Sequence, residues 1–439
     1  MLLTRIIDAV ARTDGPRVLA GLIRLTGGDF DAAEDALQEA YARALVVWRR
    51  DGLPAQPGAW INTVSRRALV DALRRETTRR KRSTSLDDDV ADATACAIVV
   101  DDADGSCADD GSGIDDDRLR LLFVCCHPAL SIEAQKTLAL RTLGGLTTRE
   151  IARAFVEPEP TTAQRLVRAK RKIREARIAY EVPPRARLPE RTDVVLSVLY
   201  LIFNEGYAST DAASLVRPDL MAEAIRLARL AVELLPEATE AGGLLALMLL
   251  IDARRAARLN GDGELVPLEE QDRGLWQHDQ IDEGVTLLDR TLAQGAPGPY
   301  QIQAAIAALH GRAATAAATD WPQIAALYRA LLQVVPTPIV ELNAAVALGL
   351  ATDVERALQW IARLEHHPDL AGYHLVPASQ ADLLRRQGRF AEASRAYRRA
   401  LTLVTNPAER RYLDRRLAEC HAASTESAMA EAADAPEAR

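Results

Sequence analysis

The chain has 439 residues and a formal net charge of −8, with 48% hydrophobic, 26% charged and only 4% aromatic residues. This is the composition of an ordinary soluble protein with room for two or three domains, and the abundance of Ala, Leu and Arg favours helices over sheets. No apolar run is long enough to span a membrane, the N-terminus lacks a signal-peptide pattern, and the five cysteines form no disulfide framework, so we expect a cytoplasmic protein.

Residues 1 to 82 read as helices. Within DFDAAEDALQEAYARAL, a buried stripe is predicted at helical spacing, formed by Ala33, Leu37, Ala40, Tyr41, Ala44 and Leu45. A second face of the same helix carries Asp31, Glu34, Asp35 and Gln38. Such an acidic face is either a solvated surface or a docking site for a basic partner.

The next predicted helix, in PAQPGAWINTVSRRALVDALRRETTRRKR, begins near Trp60. It is dense in arginine, and Arg67, Asp71 and Arg75 form a row at i, i+4 spacing. Arginines at this density suit phosphate contacts, and a tryptophan can stack on an unpaired base. The alternative is that Trp60 belongs to the core and the arginines are only solvated. The candidate DNA-binding residues here are Trp60, Arg66, Arg67, Arg74 and Arg75.

The charge changes sign abruptly after this helix. The basic cluster Arg74–Arg82 is followed by Ser83–Asp117, which holds twelve aspartates and no Lys or Arg. Because this stretch is long, rich in Asp, Ala, Gly and Ser, and poor in large apolar side chains, we expect a flexible linker. Since so much of the acidity lies in the linker, the rest of the chain is net basic, and the overall charge does not exclude a nucleic-acid partner.

A helix-turn-helix is predicted within residues 118 to 180. Ser131 can cap one helix, and Thr147 with Glu150 forms a capping box that opens a short second helix. A turn through two prolines leads to a basic helix, Thr161–Glu175, that buries Leu166, Ala169 and Ile173. The candidate DNA-binding residues of this helix are Thr161, Thr162, Gln164, Arg165, Arg168, Lys170, Arg171 and Lys172. Gln164 and Arg165 are the candidates for base edges, and the later basic residues are candidates for phosphates.

The order of these segments resembles the extracytoplasmic-function (ECF) class of bacterial RNA polymerase sigma factors. DAAEDALQEA is similar to the helix that grips the polymerase coiled-coil clamp, which implies core-polymerase contacts for Asp31, Asp35, Gln38 and Glu39. AWINTVSRRALVDALRRE resembles the helix that melts and reads the −10 element, with Arg67 where an Asn is common. TTAQRLVRAKRKIRE resembles the −35 reader, and Val156 replaces a usual turn glycine. By this resemblance the acidic linker runs through the polymerase. Its aspartates either mimic RNA there, or cover the basic DNA-binding helices when polymerase is absent, or are inert.

Residues 181 to 420 are predicted to form a helical-repeat domain. Four segments share small or apolar residues spaced by four and then three, as in Ala224, Ala228 and Ala231, and this pattern resembles tetratricopeptide repeats. CCHPAL and LYLIFNEGYAST resemble a large subgroup of the ECF class that carries such an extension. The resemblance implies control through the extension, which would bind a protein or peptide; the alternative is a helical domain without a ligand.

Two short motifs allow a second interpretation. Cys125-Cys126-His127 suits a packed helix better than a metal site, because adjacent cysteines lack the usual ligand spacing. Asn204–Tyr207 predicts a helix end at which Gly206 adopts a left-handed turn, forming either a fixed joint or a ligand site. We find no pairing of catalytic groups and expect no cofactor, no metal and no enzymatic activity.

The sequence therefore predicts an all-α protein in five parts. These are a sigma-type domain for polymerase and the −10 element at 1–82, the linker at 83–117, a helix-turn-helix domain for the −35 element at 118–180, the repeat domain at 181–420 and a disordered tail at 421–439. The predicted function is that of an alternative sigma factor. Its expected partners are core RNA polymerase and promoter DNA, and no association with a membrane is expected. The rivals are a helix-turn-helix regulator with a peptide-sensing repeat domain that never joins polymerase, and a scaffold protein with incidental basic clusters.

Overall fold

A computed structural model describes residues 2–83, 116–155, 157–208, 216–295 and 297–434. Within these ranges every regular element is a helix, so the all-α prediction is confirmed. None of these helices is long and apolar enough to cross a membrane. Nearly all of the predicted linker, from 84 to 115, lies outside the described residues, as do Val156 and 435–439 of the predicted tail.

The N-terminal compact unit spans Met1–Ile202. It extends past the predicted boundary at residue 180 and includes most of α9. Its helices are α1 (Leu2–Thr13), α2 (Gly15–Leu25), α3 (Phe30–Asp51), α4 (Pro57–Ser83), α5 (Asp117–Cys125), α6 (Ile132–Thr142), α7 (Thr148–Ala154), α8 (Glu159–Glu175) and α9 (Pro189–Tyr207).

The buried stripe of α3 follows the predicted spacing except at Leu45 and, in part, at Tyr41, which is half-buried. Ala33, Leu37, Ala40 and Ala44 are at most 6% exposed, and Trp48 continues the stripe one turn further. Leu45, which was predicted to be buried, is 40% exposed. Each residue turns the helix by about 100°, so Leu45 lies outside the stripe that Ala44 and Trp48 define.

The helix-turn-helix pair forms from the predicted caps. The Ser131 hydroxyl accepts a hydrogen bond from Ala134 N at 3.3 Å, which starts α6. Helix α8 begins at Glu159, two residues before the predicted start, because Pro160 has the backbone angle that the first turn of a helix requires. Its predicted inner face, Leu166, Ala169 and Ile173, is at most 7% exposed.

The C-terminal compact unit spans Phe203–Arg439 and begins within α9. Its further helices are α10 (Pro218–Leu234), α11 (Thr239–Asp252), α12 (His278–Leu292), α13 (Pro299–Arg312), α14 (Trp321–Val334), α15 (Pro338–Ala351), α16 (Val354–Leu364), α17 (Leu375–Arg386), α18 (Phe390–Leu403) and α19 (Pro407–Asp434). Consecutive helices contact one another from α10 to α19.

The repeated small residues are the buried ones, as the repeat pattern predicts. Ala224, Ala228 and Ala231 of α10 are at most 1% exposed, and Ala393 and Ala400 of α18 are fully buried. Small side chains allow the backbones of neighbouring helices to approach closely, so the apolar face of each helix is buried against the helices stacked beside it. The C-terminal unit is therefore helical and repeat-like.

The predicted left-handed turn at Gly206 is wrong. Gly206 lies inside α9, which continues to Tyr207, and its φ is not positive. A Cβ at this position would lie 2.8 Å from Met221 N and 3.0 Å from Arg217 O. The Gly206 carbonyl accepts a hydrogen bond from Arg217 N at 2.7 Å. Glycine is therefore required here by the close approach of the chain that enters α10, not by a turn.

Candidate polymerase and DNA interfaces

Helix α3 presents the predicted acidic face. Asp29 caps the helix, and its carboxylate accepts hydrogen bonds from Asp31 N and Ala32 N, each at 3.1 Å. Asp31, Asp35 and Gln38 are exposed, whereas Glu39 is half-buried and pairs with Arg43. The four candidate polymerase contacts therefore follow one side of α3 over two turns.

Helix α4 presents arginines beside a tryptophan pair. The Trp60 and Trp48 rings meet edge to face, with centroids 5.4 Å apart and an interplanar angle of 64°. This packing leaves Trp60 only half-buried. The candidate arginines of this helix are all exposed, and they are Arg66, Arg67, Arg74 and Arg75. The side chains of Arg79–Arg82 lie outside the part of the chain whose side chains are described.

The turn of the helix-turn-helix is held by charged and polar contacts. Thr147 N donates to Glu150 Oε2 at 2.6 Å while Glu150 N donates to Thr147 Oγ1 at 3.2 Å, which is the predicted capping box. Across the turn, Glu157 accepts two hydrogen bonds from the guanidinium of Arg165, at 2.6 and 2.7 Å, and a third from Thr162 Oγ1 at 2.6 Å. The hydrogen bonds from Arg165 hold the pKa of Glu157 below its usual value.

The same contacts divide the candidate DNA-binding residues of α8 into two groups. Thr162 is buried and Arg165 is occupied by Glu157, so in this structure both hold the turn in place. The second group is exposed to solvent. It consists of Thr161, Gln164, Arg168, Arg171 and Lys172. Sequence reasoning did not find Glu157, which lacks a signal of its own because the turn brings it to Arg165.

Helix α8 also contacts the acidic face of α3. Lys170 Nζ lies 2.6 Å from Glu34 Oε2 and 3.5 Å from Asp31 Oδ1, and Arg174 Nη1 lies 3.6 Å from Asp31 Oδ2. The Lys170 side chain is only 14% exposed. The structure thus brings together Asp31, a candidate for polymerase binding, and Lys170, a candidate for DNA binding.

Other contacts hold the two halves of the N-terminal unit together. Arg24 Nε lies 2.8 Å from Asp117 Oδ1, and the Tyr180 hydroxyl donates to the carbonyl of either Ala20 or Asp117, at 3.1 and 2.8 Å. A cavity of about 430 Å³ lies beside α3 and is lined by Gln38 together with residues of α6 and α7. The α3 face is therefore covered in part by the helix-turn-helix half.

Cys125 and Cys126 are packed in the core at the end of α5. Both are at most 1% exposed, and Cys125 Sγ lies 3.4 Å from Thr142 Oγ1. The His127 ring accepts a hydrogen bond from Ala129 N at 3.1 Å. Within the described ranges, no group of three or more His, Cys, Asp or Glu residues is placed to hold a metal ion.

Burial raises the pKa of Cys125 to about 12 and that of Cys126 well above its usual value. Because the thiolate is the reactive form, we expect a thiol reagent at pH 8 to modify neither residue until the protein unfolds. The measurement is Ellman's titration of a variant lacking the other cysteines (Cys96→Ser, Cys107→Ser, Cys420→Ser), before and after adding guanidinium. Modification of two thiols within seconds in the native protein would contradict the packed arrangement.

Comparison with known proteins adds family evidence to this geometry. A protein-family model described as sigma-70 region 2 matches residues 10–79, and a family of unknown function (DUF6596) matches residues 191–292. Protein R00370 of Rhizobium meliloti (strain 1021), which is uncharacterized, is 40% identical over 427 residues, covering 97% of this chain and 98% of that protein. The chain belongs to the same family as R00370.

A second relative of this chain carries a functional name. The probable ECF RNA polymerase sigma factor SigI of Mycobacterium tuberculosis, in two strains, is 32% identical over 160 residues, which is 36% of this chain and 51% of SigI. No solved structure matches the chain. The region 2 domain and the similarity to SigI together support a sigma factor.

Proposed function

We propose that this family member is an alternative sigma factor that joins core RNA polymerase and directs promoter-specific initiation in the cytoplasm, without enzymatic activity of its own. The observation that carries the proposal is that the family match and the charged helix faces fall on the same residues. The sigma-70 region 2 match at 10–79 contains α3 and nearly all of α4, and these two helices carry the acidic face and the exposed arginine row.

Each surface has the chemistry that its role needs. The carboxylates of α3 present a negative side to a basic partner on polymerase, with Asp31, Asp35, Gln38 and Glu39 as the contacts. The arginines of α4 neutralise phosphates near the −10 element, and Trp60 can stack on an unpaired base when it leaves Trp48. Helix α8 reads the −35 element with Gln164 and places Arg168, Arg171 and Lys172 on phosphates.

In the proposed mechanism the free chain is closed and must open to bind polymerase. Lys170 and Arg174 occupy the carboxylates beside the polymerase-binding residues, so α8 and polymerase compete for one side of α3. Opening exposes α3 and releases α8 for DNA in a single step. Because the closed form must open first, binding to DNA alone or to polymerase alone is weakened.

Control by the C-terminal unit is the other part of the proposal. The stacked helices offer a surface for a protein or peptide, and the extension resembles that of the large ECF subgroup.

The test is in vitro transcription with purified core polymerase and the full chain, together with a binding assay to core. We expect Asp35→Ala with Gln38→Ala to weaken core binding by about 10- to 100-fold without changing the circular dichroism spectrum, because truncating two interface residues at about 1 kcal/mol each costs about 2 kcal/mol. The matched control is Asp282→Ala in the C-terminal unit, which changes an exposed acidic residue of α12. If the wild-type chain never associates with core polymerase but binds DNA, the regulator that acts without polymerase replaces the sigma factor.

A further inference from the structure

The C-terminal unit contains a small cavity that no sigma-factor role uses. It has a volume of about 230 Å³ and is lined by the end of α9, the end of α11 with the turn after it, and the loop from Leu265 to Gln271. One wall is apolar and includes Ile251, Leu265 and Pro267. Two arginines, Arg254 and Arg258, line the same cavity and make it positively charged.

Arg258 is held in place by Tyr207. Its guanidinium carbon lies 3.5 Å from the centroid of the Tyr207 ring, and Nη1 donates a hydrogen bond to the Tyr207 carbonyl. The Arg258 residue is only 9% exposed. Glu409 attracts Arg258 but is not within ion-pair distance of it; its Oε2 lies 3.4 Å from His374 Nε2, and burial lowers the pKa of His374. The position of Arg258 is therefore fixed, and no carboxylate among the described residues lies at ion-pair distance from it.

Arg254 has a buried donor without a partner. Its guanidinium carbon lies 5.8 Å from the centroid of Trp276, and its Nη1 is buried and forms no hydrogen bond with any described residue. Gln271, which also lines the cavity, donates to the Val266 carbonyl at 3.2 Å while its Oε1 is buried without a partner. Two residues that line the cavity thus each contain a buried polar atom without a hydrogen-bond partner among the described residues, one a cationic donor and the other an acceptor.

A third arginine makes the surroundings more positive. The guanidinium carbon of Arg273 also lies over the Trp276 ring, 4.3 Å from its centroid, and Arg273 donates to the carbonyls of His310 and Ala313. Burial, together with the charges of Arg254 and Arg273, lowers the pKa of His310 to about 4, so His310 is neutral at pH 7. Burial also lowers the pKa of all three arginines. Arg254 and Arg258 are thus withdrawn from water, and no carboxylate of the described ranges lies at ion-pair distance from either of them.

A buried guanidinium with an unsatisfied N–H is costly, and an anion in the cavity removes that cost. Guanidinium groups bind carboxylates and phosphates through paired hydrogen bonds, which suits Arg254 and Arg258 on one wall. The apolar wall requires that the ligand also carry a hydrocarbon part. The volume lies below the roughly 300–1,000 Å³ of pockets for drug-sized ligands, so it fits a small molecule and not a folded segment.

We propose that this cavity binds a small organic anion, with its charged group at Arg254 and Arg258 and its apolar body against Ile251 and Leu265. A hydroxyl or amino group on the ligand would donate to Gln271 Oε1. If the chain is the sigma factor proposed above, a small molecule bound in the cavity regulates the factor through its C-terminal unit. Only that last step rests on the proposed function, since binding itself is measured without polymerase or DNA.

The test is thermal unfolding of the full chain with a panel of anions at constant ionic strength. The probes are butanoate, 3-hydroxybutanoate, phenyl phosphate, inorganic phosphate and chloride. We expect one of the three organic anions at about 100 times its dissociation constant to raise the melting temperature of the C-terminal unit by about 5–10 °C relative to chloride. The carboxylate and phosphate probes distinguish the two kinds of charged group.

Two variants make the test specific. Arg254→Met is expected to lose the anion-dependent shift and to melt no lower than the wild type without ligand, because it removes an unpaired buried cation. Arg290→Gln, at an exposed arginine of α12, is the matched control and is expected to keep the shift. The proposal is overturned if no organic anion exceeds inorganic phosphate and chloride, if Arg254→Met keeps the shift, or if Arg254→Met without ligand melts several degrees lower.

Discussion

Lys170→Glu is expected to tighten the binding of core polymerase by about tenfold. In the wild type the Lys170 ammonium lies 2.6 Å from Glu34 and 3.5 Å from Asp31, and its side chain is only 14% exposed. A glutamate at this position replaces attraction by repulsion between partly buried groups, which costs the closed arrangement about 1–2 kcal/mol. When only the open form binds polymerase, the apparent dissociation constant falls in proportion to the gain in open population.

The measurement is the affinity of the full chain for core polymerase without DNA, by fluorescence anisotropy at fixed salt. Lys172→Glu is the matched control, because it makes the same charge change on an exposed position of the same helix, with no described ion pair to α3. Hydrogen exchange should show faster exchange in α3 and α8 for Lys170→Glu only. Equal polymerase affinity for the wild type and both variants would show that α8 does not compete for α3.

Gly243→Ala is expected to destabilise the C-terminal unit by about 2–3 kcal/mol. Gly243 lies in α11, which is apolar on every side and packs against α10, α12 and α13. A Cβ at this position would lie 2.5 Å from Gln301 Cγ and 2.9 Å from Gln301 N, so the backbone of α13 must move. The cost of overpacking exceeds the gain of about 1 kcal/mol that alanine brings to a helix interior.

The movement also disturbs the start of α13. Glu240 accepts hydrogen bonds from Tyr300 N at 2.8 Å and Gln301 N at 3.0 Å, and Gln301 is 1% exposed. The measurement is the free energy of unfolding in urea, monitored by circular dichroism. Gly261→Ala is the control, because a Cβ there meets no atom within 4 Å, and we expect a change within about 0.5 kcal/mol. Unchanged stability of Gly243→Ala would mean that α11 and α13 are not so closely packed.

Local structure is largely predictable from this sequence, since it depends on residues near one another in the chain. The capping box of Thr147 and Glu150 and the cap at Ser131 involve partners three residues apart. The buried faces of α8 and α10 follow the helical period, as Ile173 and Ala228 illustrate. Even the error at Leu45 is local, because it concerns the width of one buried stripe and not the existence of the helix.

Assignments of individual side chains are less predictable. Arg165 was a candidate for a base edge, yet in the structure its guanidinium pairs with Glu157 across the turn. Gly206 was expected to adopt a left-handed turn at the helix end; α9 does end at Tyr207, but Gly206 is helical and allows the chain at Arg217 to approach. In both cases the partner is set by a turn or a loop between the residues, and helical periodicity contains no information about that geometry.

The helical class, the repeat-like character of the C-terminal unit and the acidic and basic helix faces follow from the sequence, because periodicity, caps and charge are properties of neighbouring residues. Which charges form pairs depends on the tertiary fold. Lys170 and Glu34 are 136 residues apart in the chain and lie 2.6 Å apart in the fold. The arginines around the cavity at Tyr207 likewise become a candidate anion site only through burial, because burial removes the water that would otherwise satisfy each guanidinium.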